Sequence, residues 1–164
     1  MGQRDDFIAV AQAEMGYVEG PKSNETKYGK FTKANFQPWC GSFVMWCASQ
    51  VKLNLPNCVY TPAGAAGFQG KGRWSNAATS KPKGGDIAFF DFPGGERIDH
   101  VGIVLSDNGD GTCVTIEGNT SHEKKPKGSQ ANGGEVCIRI RAYKKNKKGL
   151  AVTIVGFGHP KFKD

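Results

Sequence analysis

Residues 38–47, PWCGSFVMWC, decide how the rest of the chain is interpreted, because they predict a buried helix with a cysteine in its first turn. Pro38 suits the start of a helix, where its missing N–H costs nothing. Val44, Cys47 and Val51 then follow at spacings of three and four, which place apolar side chains on one helical face.

Cys40 precedes this apolar stripe and lies where the first N–H groups of the helix have no intrahelical partner. The positive end of the helix dipole is also there. Both features favour the thiolate, which is the nucleophilic form of cysteine. The alternative is an inert cysteine that fills a small space in the core. This segment alone leaves both interpretations open.

The composition indicates one globular domain. The chain has 164 residues, enough for a single domain with its own core, and 23 glycines and 8 prolines, which favour a loop-rich, strand-containing fold over a helical bundle. We predict a domain over residues 1–158. Residues 159–164 are predicted to be a tail or the start of a linker.

Charge and cysteine content restrict the partners and the compartment. The net charge of +7 predicts attraction to a polyanion, although solubility alone could also explain it. Five cysteines without compact spacing argue against a disulfide framework and indicate synthesis in a reducing compartment. No zinc-type Cys/His spacing, signal segment or long apolar run is present, so we expect no metal and no membrane insertion.

Hydrophobic periodicity changes from helical to alternating after residue 80. The chain between the first two helices, residues 17–37, is polar and irregular. We therefore predict an α+β fold in which N-terminal helices pack on a C-terminal antiparallel sheet of about five to six strands. The predicted helices cover residues 3–16, Cys40 to about Lys52, and Thr61–Gly70. The predicted strands are Asp86–Phe92, Asp99–Ser106, Thr112–Glu117, Glu135–Tyr143 and Ala151–Phe157.

A nucleophilic cysteine needs a base and a group that orients the base. His100 opens a predicted strand, whereas His122 and His159 lie in a polar loop and in the tail; His100 is the best candidate, although a lone strand histidine can be purely structural. A hairpin at residues 107–111 returns the next strand to His100. Glu117 and Asn119 end that strand on one face, and either can accept a hydrogen bond from the ring.

Four motifs in order make the chain similar to the CHAP family, the cysteine, histidine-dependent amidohydrolases/peptidases, and in particular to phage endolysin catalytic domains. They occupy residues 38–46, 85–90, 100–104 and 116–120. The resemblance implies a papain-like fold related to NlpC/P60 peptidases.

The resemblance also implies roles for individual residues. Cys40 would be the nucleophile, His100 the general base and later the acid, and Glu117 the residue that orients His100. Asn119 would be an additional polar member of the site. The Cys40 N–H would form part of the oxyanion hole.

The resemblance also concerns residues ahead of the cysteine. Tyr28 would help to stabilise the oxyanion, with Gln37 as the alternative. Apart from the resemblance, we predict Trp39 and Trp74 as substrate-binding residues, since an aromatic ring can line a groove for glycan or peptide. Some related endolysins bind calcium through carboxylates ahead of the cysteine, but residues 20–39 contain only one acidic residue. We therefore expect no metal and no other cofactor.

The sequence thus predicts a peptidoglycan hydrolase, the catalytic domain of an endolysin, that cleaves an amide of the wall peptide. N-acetylmuramoyl-L-alanine amidase and peptidoglycan endopeptidase activity both remain open. We expect a monomer that is made in the host cytoplasm, acts on the wall after release, binds anionic wall polymers and does not bind nucleic acid. The alternatives are a bacterial housekeeping wall peptidase and a non-enzymatic, basic wall-binding module.

Overall fold

Four helices precede most of a six-stranded antiparallel sheet in the computed structural model, which describes residues 2–92, 97–122 and 128–163. The helices are α1 (Gln3–Ala13), α2 (Lys27–Thr32), α3 (Cys40–Gln50) and α4 (Thr61–Gly70). The strands are β1 (Trp74–Asn76), β2 (Ile87–Phe90), β3 (His100–Asp107), β4 (Thr112–Thr120), β5 (Glu135–Ala142) and β6 (Ile154–Gly158). Their order in the sheet is β1-β6-β2-β3-β4-β5. The predicted α+β architecture is confirmed.

The two faces of the sheet bury different apolar sets. Helices α1 and α3 cover one face, where Phe7 and Phe43 pack with Ile103 and Ile116. A second cluster that includes Phe90 lies apart from this helix-covered core. This division follows from the alternation of side chains along each strand. Because Phe90 pairs with His100 in the sheet, the His100 side chain begins β3 on the side of this second cluster.

The hairpin between β3 and β4 forms as predicted and determines the geometry of the site. Gly109 and Gly111 have φ values of 75° and 88°, which only glycine adopts without strain. The register pairs Ile103 with Ile116 and Val104 with Thr115. The end of β4 therefore returns to the beginning of β3.

The sequence did not predict α2 and β1. Helix α2 has only six residues; the Thr26 Oγ1 accepts a hydrogen bond from the Gly29 N–H at 2.8 Å, and Lys33 ends the helix with a φ of 60°. Strand β1 has three residues and pairs only with β6. Both elements are too short and polar to show periodicity. In the predicted loop over residues 118–134, residues 123–127 lie outside the described part.

Residues 159–163 lie against the body of the domain. The His159 N–H donates to the Arg73 carbonyl at 2.8 Å, the Phe162 ring packs 6.1 Å from the Phe7 ring, and the Lys163 N–H donates to Gln3 Oε1 at 2.8 Å. Asp164, the last residue of the predicted tail, lies outside the described residues. All five cysteines are unpaired. None of the helices in the described ranges is long and apolar enough to cross a membrane.

Candidate active site

Cys40 is the first residue of α3, so its amide belongs to the first helical turn, where N–H groups have no intrahelical acceptor. A close approach of the chain fixes this end of the helix. A Cβ on Gly41 would lie 1.8 Å from the Cys58 carbonyl oxygen, so only glycine fits there. The Cys40 side chain is 4% exposed.

His100 opens β3 and is completely buried. Its ring lies 5.2 Å from the Phe90 ring and 5.5 Å from the Phe92 ring. The Nε2–H donates to Glu117 Oε1 at 2.8 Å. Among the described residues Nδ1 has no hydrogen bond of regular geometry, which leaves this nitrogen for the neighbouring Cys40 thiol.

The electrostatic surroundings of His100 favour its protonated form. Burial by itself would lower the pKa of His100, but the adjacent Cys40 and Glu117 outweigh burial and raise that pKa to about 9. A protonated imidazole beside a sulfur atom is the arrangement that stabilises a thiolate.

Glu117 is buried and its carboxylate is fully engaged. Burial would raise the pKa of Glu117, but the Arg141 guanidinium and the His100 ring hold it well below its usual range. Arg141 donates two hydrogen bonds of 2.8 Å, one to each carboxylate oxygen, and the Thr115 hydroxyl donates to Oε2. A Cβ on Gly102 would lie 2.6 Å from the Glu117 Cγ, so glycine on β3 makes room for this side chain.

Arg141 belongs to this network but is not predicted from the sequence. Besides Glu117, its guanidinium donates to Gln130 Oε1 at 2.9 Å and to Thr120 Oγ1 at 3.2 Å. It also lies 5.2 Å from the centre of the Phe92 ring. The available signal was the predicted His100 partner Glu117 with an arginine on the next strand, because a carboxylate that becomes buried needs an opposite charge.

The order of these residues along the chain can now be compared with known proteins. A sequence model of the CHAP domain matches residues 32–119, more than half of the chain, and this range contains Cys40, His100 and Glu117. The chain belongs to the CHAP family. No curated protein matches it.

Two solved structures share the fold of this CHAP domain. They are the crystal structure of Ly7917, with a TM-score of 0.52, and that of Ly7917 with the hydrolyzing product of MDP, with a TM-score of 0.55. Each is 13% identical, and the alignment covers 96% of this chain and 62% of that chain. At this identity the likeness concerns the fold alone. The CHAP domain thus spans less than two thirds of the length of these structures.

Asn119 is buried near the site, but its side chain holds the β4–β5 connection. Its Oδ1 accepts from the Gly134 N–H at 3.0 Å, and its Nδ2 donates to Asn132 Oδ1 at 2.9 Å. Its φ of 55° lies in the left-handed region, which asparagine tolerates better than most residues. Of the two predicted acceptors for the His100 ring, Glu117 makes the hydrogen bond; a catalytic role of Asn119 stays a prediction.

Tyr28 is completely buried, and its hydroxyl donates to Glu14 Oε1 at 2.7 Å. Burial, followed by the Glu14 carboxylate, raises the pKa of Tyr28 far above its ordinary value. The hydroxyl is therefore engaged by Glu14 in this structure, and its role at the oxyanion stays a prediction. Gln37, the alternative, is exposed three residues before Cys40.

The two tryptophans that are predicted to bind substrate lie in different surroundings. Trp39 is completely buried, stacks on Tyr28 at 5.5 Å and donates from Nε1 to Glu19 Oε1 at 2.9 Å. Trp74 lies on β1, three strands from His100 in the sheet, or about 14 Å at the usual strand spacing. A substrate-binding role of either tryptophan stays a prediction. In the part of the chain that the structure describes, no three His, Cys, Asp or Glu residues form a metal-binding group.

Proposed function

We propose that this CHAP domain hydrolyses an amide bond in the peptide part of peptidoglycan, with Cys40 as the nucleophile. The observation that carries the proposal is the buried His100, which is held by Glu117 on one nitrogen and has the other available to Cys40 at the start of a helix. The structure of Ly7917 with the hydrolyzing product of MDP, which shares this fold, supports peptidoglycan as the substrate class.

The acylation step follows from this geometry. The Cys40 thiolate attacks the amide carbon, and the Cys40 N–H donates a hydrogen bond to the developing oxyanion. The His100 imidazolium gives its Nδ1 proton to the leaving nitrogen, so that the C–N bond breaks and an amine departs. The product on the enzyme is a thioester at Cys40.

Deacylation reverses the proton transfers. The neutral His100 ring takes a proton from water while the water oxygen attacks the thioester carbon. The C–S bond breaks, a carboxylic acid leaves, and the thiolate–imidazolium pair is restored. Glu117 keeps the ring orientation in both steps, and Arg141 keeps Glu117 ionised although it is buried.

The finer part of the proposal concerns the biological setting. We propose that the chain serves as the catalytic domain of a phage endolysin, made in the host cytoplasm and acting on the wall after release. Five unpaired cysteines fit synthesis in a reducing compartment. The four sequence motifs that resemble endolysin domains support the same assignment. N-acetylmuramoyl-L-alanine amidase and endopeptidase activity are the two forms of the reaction.

The test compares Cys40→Ala with Cys137→Ala. The two cysteines are similarly buried, with exposed fractions of 4% and 6%. We expect Cys40→Ala to lower fragment release from purified peptidoglycan by at least about 10³-fold and Cys137→Ala by less than about threefold. Mass spectrometry of the fragments identifies the bond: an amidase frees the amino group of the first alanine, whereas an endopeptidase leaves a peptide on the sugar. Equal release by wild type and a folded Cys40→Ala variant would contradict the proposal.

A further inference from the structure

Basic side chains line two adjoining cavities that the proposed reaction does not use. The larger cavity has a volume of about 600 Å³, the smaller one about 250 Å³, and Arg73, His159 and Pro160 line both. We call the two together the cationic groove. Its lysines and arginines are Arg4, Lys52, Lys71, Arg73, Lys81, Lys83, Lys161 and Lys163.

The charge of the groove is almost entirely positive. Among the described residues that line it, Asp86 is the only carboxylate. Asp86 is already engaged, because its Oδ2 accepts from the Lys83 N–H at 2.8 Å and its Oδ1 accepts from His159 Nδ1 at 3.0 Å. The groove therefore presents a strong positive potential to any ligand.

The walls combine arginines that are held by local contacts with lysines that are exposed. Arg73 donates to the His159 and Pro160 carbonyls at 2.7 and 2.9 Å, and the Arg4 guanidinium lies 4.5 Å from the centre of the Phe162 ring. The six lysines are exposed. Lysine provides a compact point charge on a flexible stem, which suits phosphates without imposing one geometry.

The groove lies at the opposite end of the domain from the candidate active site. Helix α3 begins at Cys40 and ends at Gln50, next to Lys52 of the groove, so its length of about 16 Å separates the two regions. Strand β2 also separates the groove from the active site. Asp86 of the groove precedes the first residue of β2, whereas the last residue, Phe90, pairs with His100.

We propose that the cationic groove binds a phosphodiester-linked anionic polymer of the cell wall and thereby holds the domain on its substrate. The proposal rests on the proposed function for its biological partner. Two adjoining cavities of this size accommodate several consecutive phosphates. A polymer held there leaves Cys40 accessible and raises the local concentration of wall peptide at the active site.

The groove favours such a polymer over a nucleic acid. Single-stranded nucleic acids are bound by aromatic side chains on which bases stack. The aromatic residues of the groove are engaged: Phe68 is 2% exposed, and Phe162 packs between Arg4 and Phe7. Phosphates are the groups that the remaining surface can recognise.

The experiment measures binding of the full chain to poly(glycerol phosphate) at low ionic strength. The groove variant is Lys71→Gln/Lys161→Gln, and the matched control is Lys145→Gln/Lys147→Gln on the β5–β6 connection. All four lysines are exposed, and both variants lower the net charge by two. We expect at least about 10-fold weaker binding and a shallower salt dependence for the groove variant, and less than about twofold change for the control.

The outcomes separate this proposal from the hydrolytic one. Restored binding in Lys71→Arg/Lys161→Arg, with unchanged cleavage of soluble peptidoglycan fragments in the groove variant, would support the groove. Equal losses in both double variants would show general charge attraction and overturn it, as would no binding by the wild type. Tighter binding of single-stranded DNA with the same number of phosphates would instead assign the groove to nucleic acid. If the protein binds the polymer through the groove but does not hydrolyse peptidoglycan, the groove proposal stands and the proposed function fails.

Discussion

The two ends of the domain each contain a histidine that is hydrogen-bonded to a carboxylate, but the surroundings of the two rings differ. His100 is completely buried and bonds to Glu117, whereas the His159 side chain is 31% exposed and bonds to Asp86. The second nitrogen of His159 lies 2.7 Å from the Ser75 hydroxyl, so both of its nitrogens are occupied. In His100 one nitrogen has no regular partner among the described residues.

This difference shows that a histidine–carboxylate pair does not by itself indicate a catalytic site. The His100 pair has a thiol on one side and Arg141 behind the carboxylate, so the buried Glu117 carboxylate lies between two cationic partners. The His159 pair is partly hydrated and holds residues after β6 onto the body. A nucleophile within reach and the complete burial of the ring distinguish the first pair.

The largest expected effect on hydrolysis comes from replacing His100, with the same replacement of His159 as the comparison. His100→Ala should lower the rate of wall hydrolysis by at least about 10³-fold, because it removes the only group placed to move protons at Cys40 in the described structure. His159→Ala should change the rate by less than about threefold. Fragment release from purified peptidoglycan measures both. Comparable losses of rate in the two variants would contradict the assignment of a catalytic role to His100 and a structural role to His159.

Arg141 should have the next largest effect. Arg141→Met leaves Glu117 buried without its cation, which should lower the free energy of unfolding by about 3 kcal/mol and kcat/KM by about 10²-fold. Denaturant unfolding and steady-state kinetics measure the two quantities. The double variant Glu117→Gln/Arg141→Met should regain part of the stability, because neither charge is then isolated. Strictly additive losses in stability would contradict this coupling.

The pH dependence of the reaction should report on Glu117. The raised pKa of His100 keeps the imidazolium present until about pH 9, so kcat/KM of the wild type should fall above that pH as the acid for the leaving amine is lost. Glu117→Gln removes a carboxylate that raises this pKa, and the alkaline limb should move to lower pH. A limb that stays in place would show that Glu117 does not act on the base.

Asn119 should have the smallest effect. Asn119→Gly removes the amide that holds Asn132 and Gly134 but permits the positive φ, so we expect about 1–2 kcal/mol lower stability and less than about 10-fold lower kcat/KM. Thermal unfolding and kinetics on the same preparation provide both values. A loss of kcat above about 10²-fold with little change in stability would instead establish the predicted catalytic role.

The sequence was sufficient for the long elements and for the proximity of His100 and Glu117, whose catalytic roles stay predictions. Helix α3 and the β3–β4 hairpin have strong local signals, and together they bring residues 40, 100 and 117 to one edge of the sheet. The six-residue α2 and the three-residue β1 have no such signal, because contacts from distant parts of the chain stabilise them.

Side-chain direction was much harder to obtain from local pattern. In β5 the alternation is inverted: Ile138 and Ile140 are 39% and 45% exposed, whereas Arg141 is 7% exposed. The buried carboxylate of Glu117 on the neighbouring strand causes this inversion. Likewise, Trp39 is next to the nucleophile in sequence, but Glu19 accepts its N–H and turns it into the core.

The central claim is that Cys40 is the activated thiol among five cysteines. Burial raises the pKa of each of the other four, to about 12 for Cys58 and Cys113 and to about 11 for Cys137, so they remain protonated at neutral pH. The most direct measurement is alkylation by limiting iodoacetamide at pH 7, with peptide mass spectrometry and residual hydrolysis followed together.

We predict that Cys40 is labelled first and that hydrolysis is lost in proportion to this labelling. We also predict that His100→Ala slows the labelling of Cys40. Preferential labelling of another cysteine, or full hydrolysis by chains labelled at Cys40, would contradict the account.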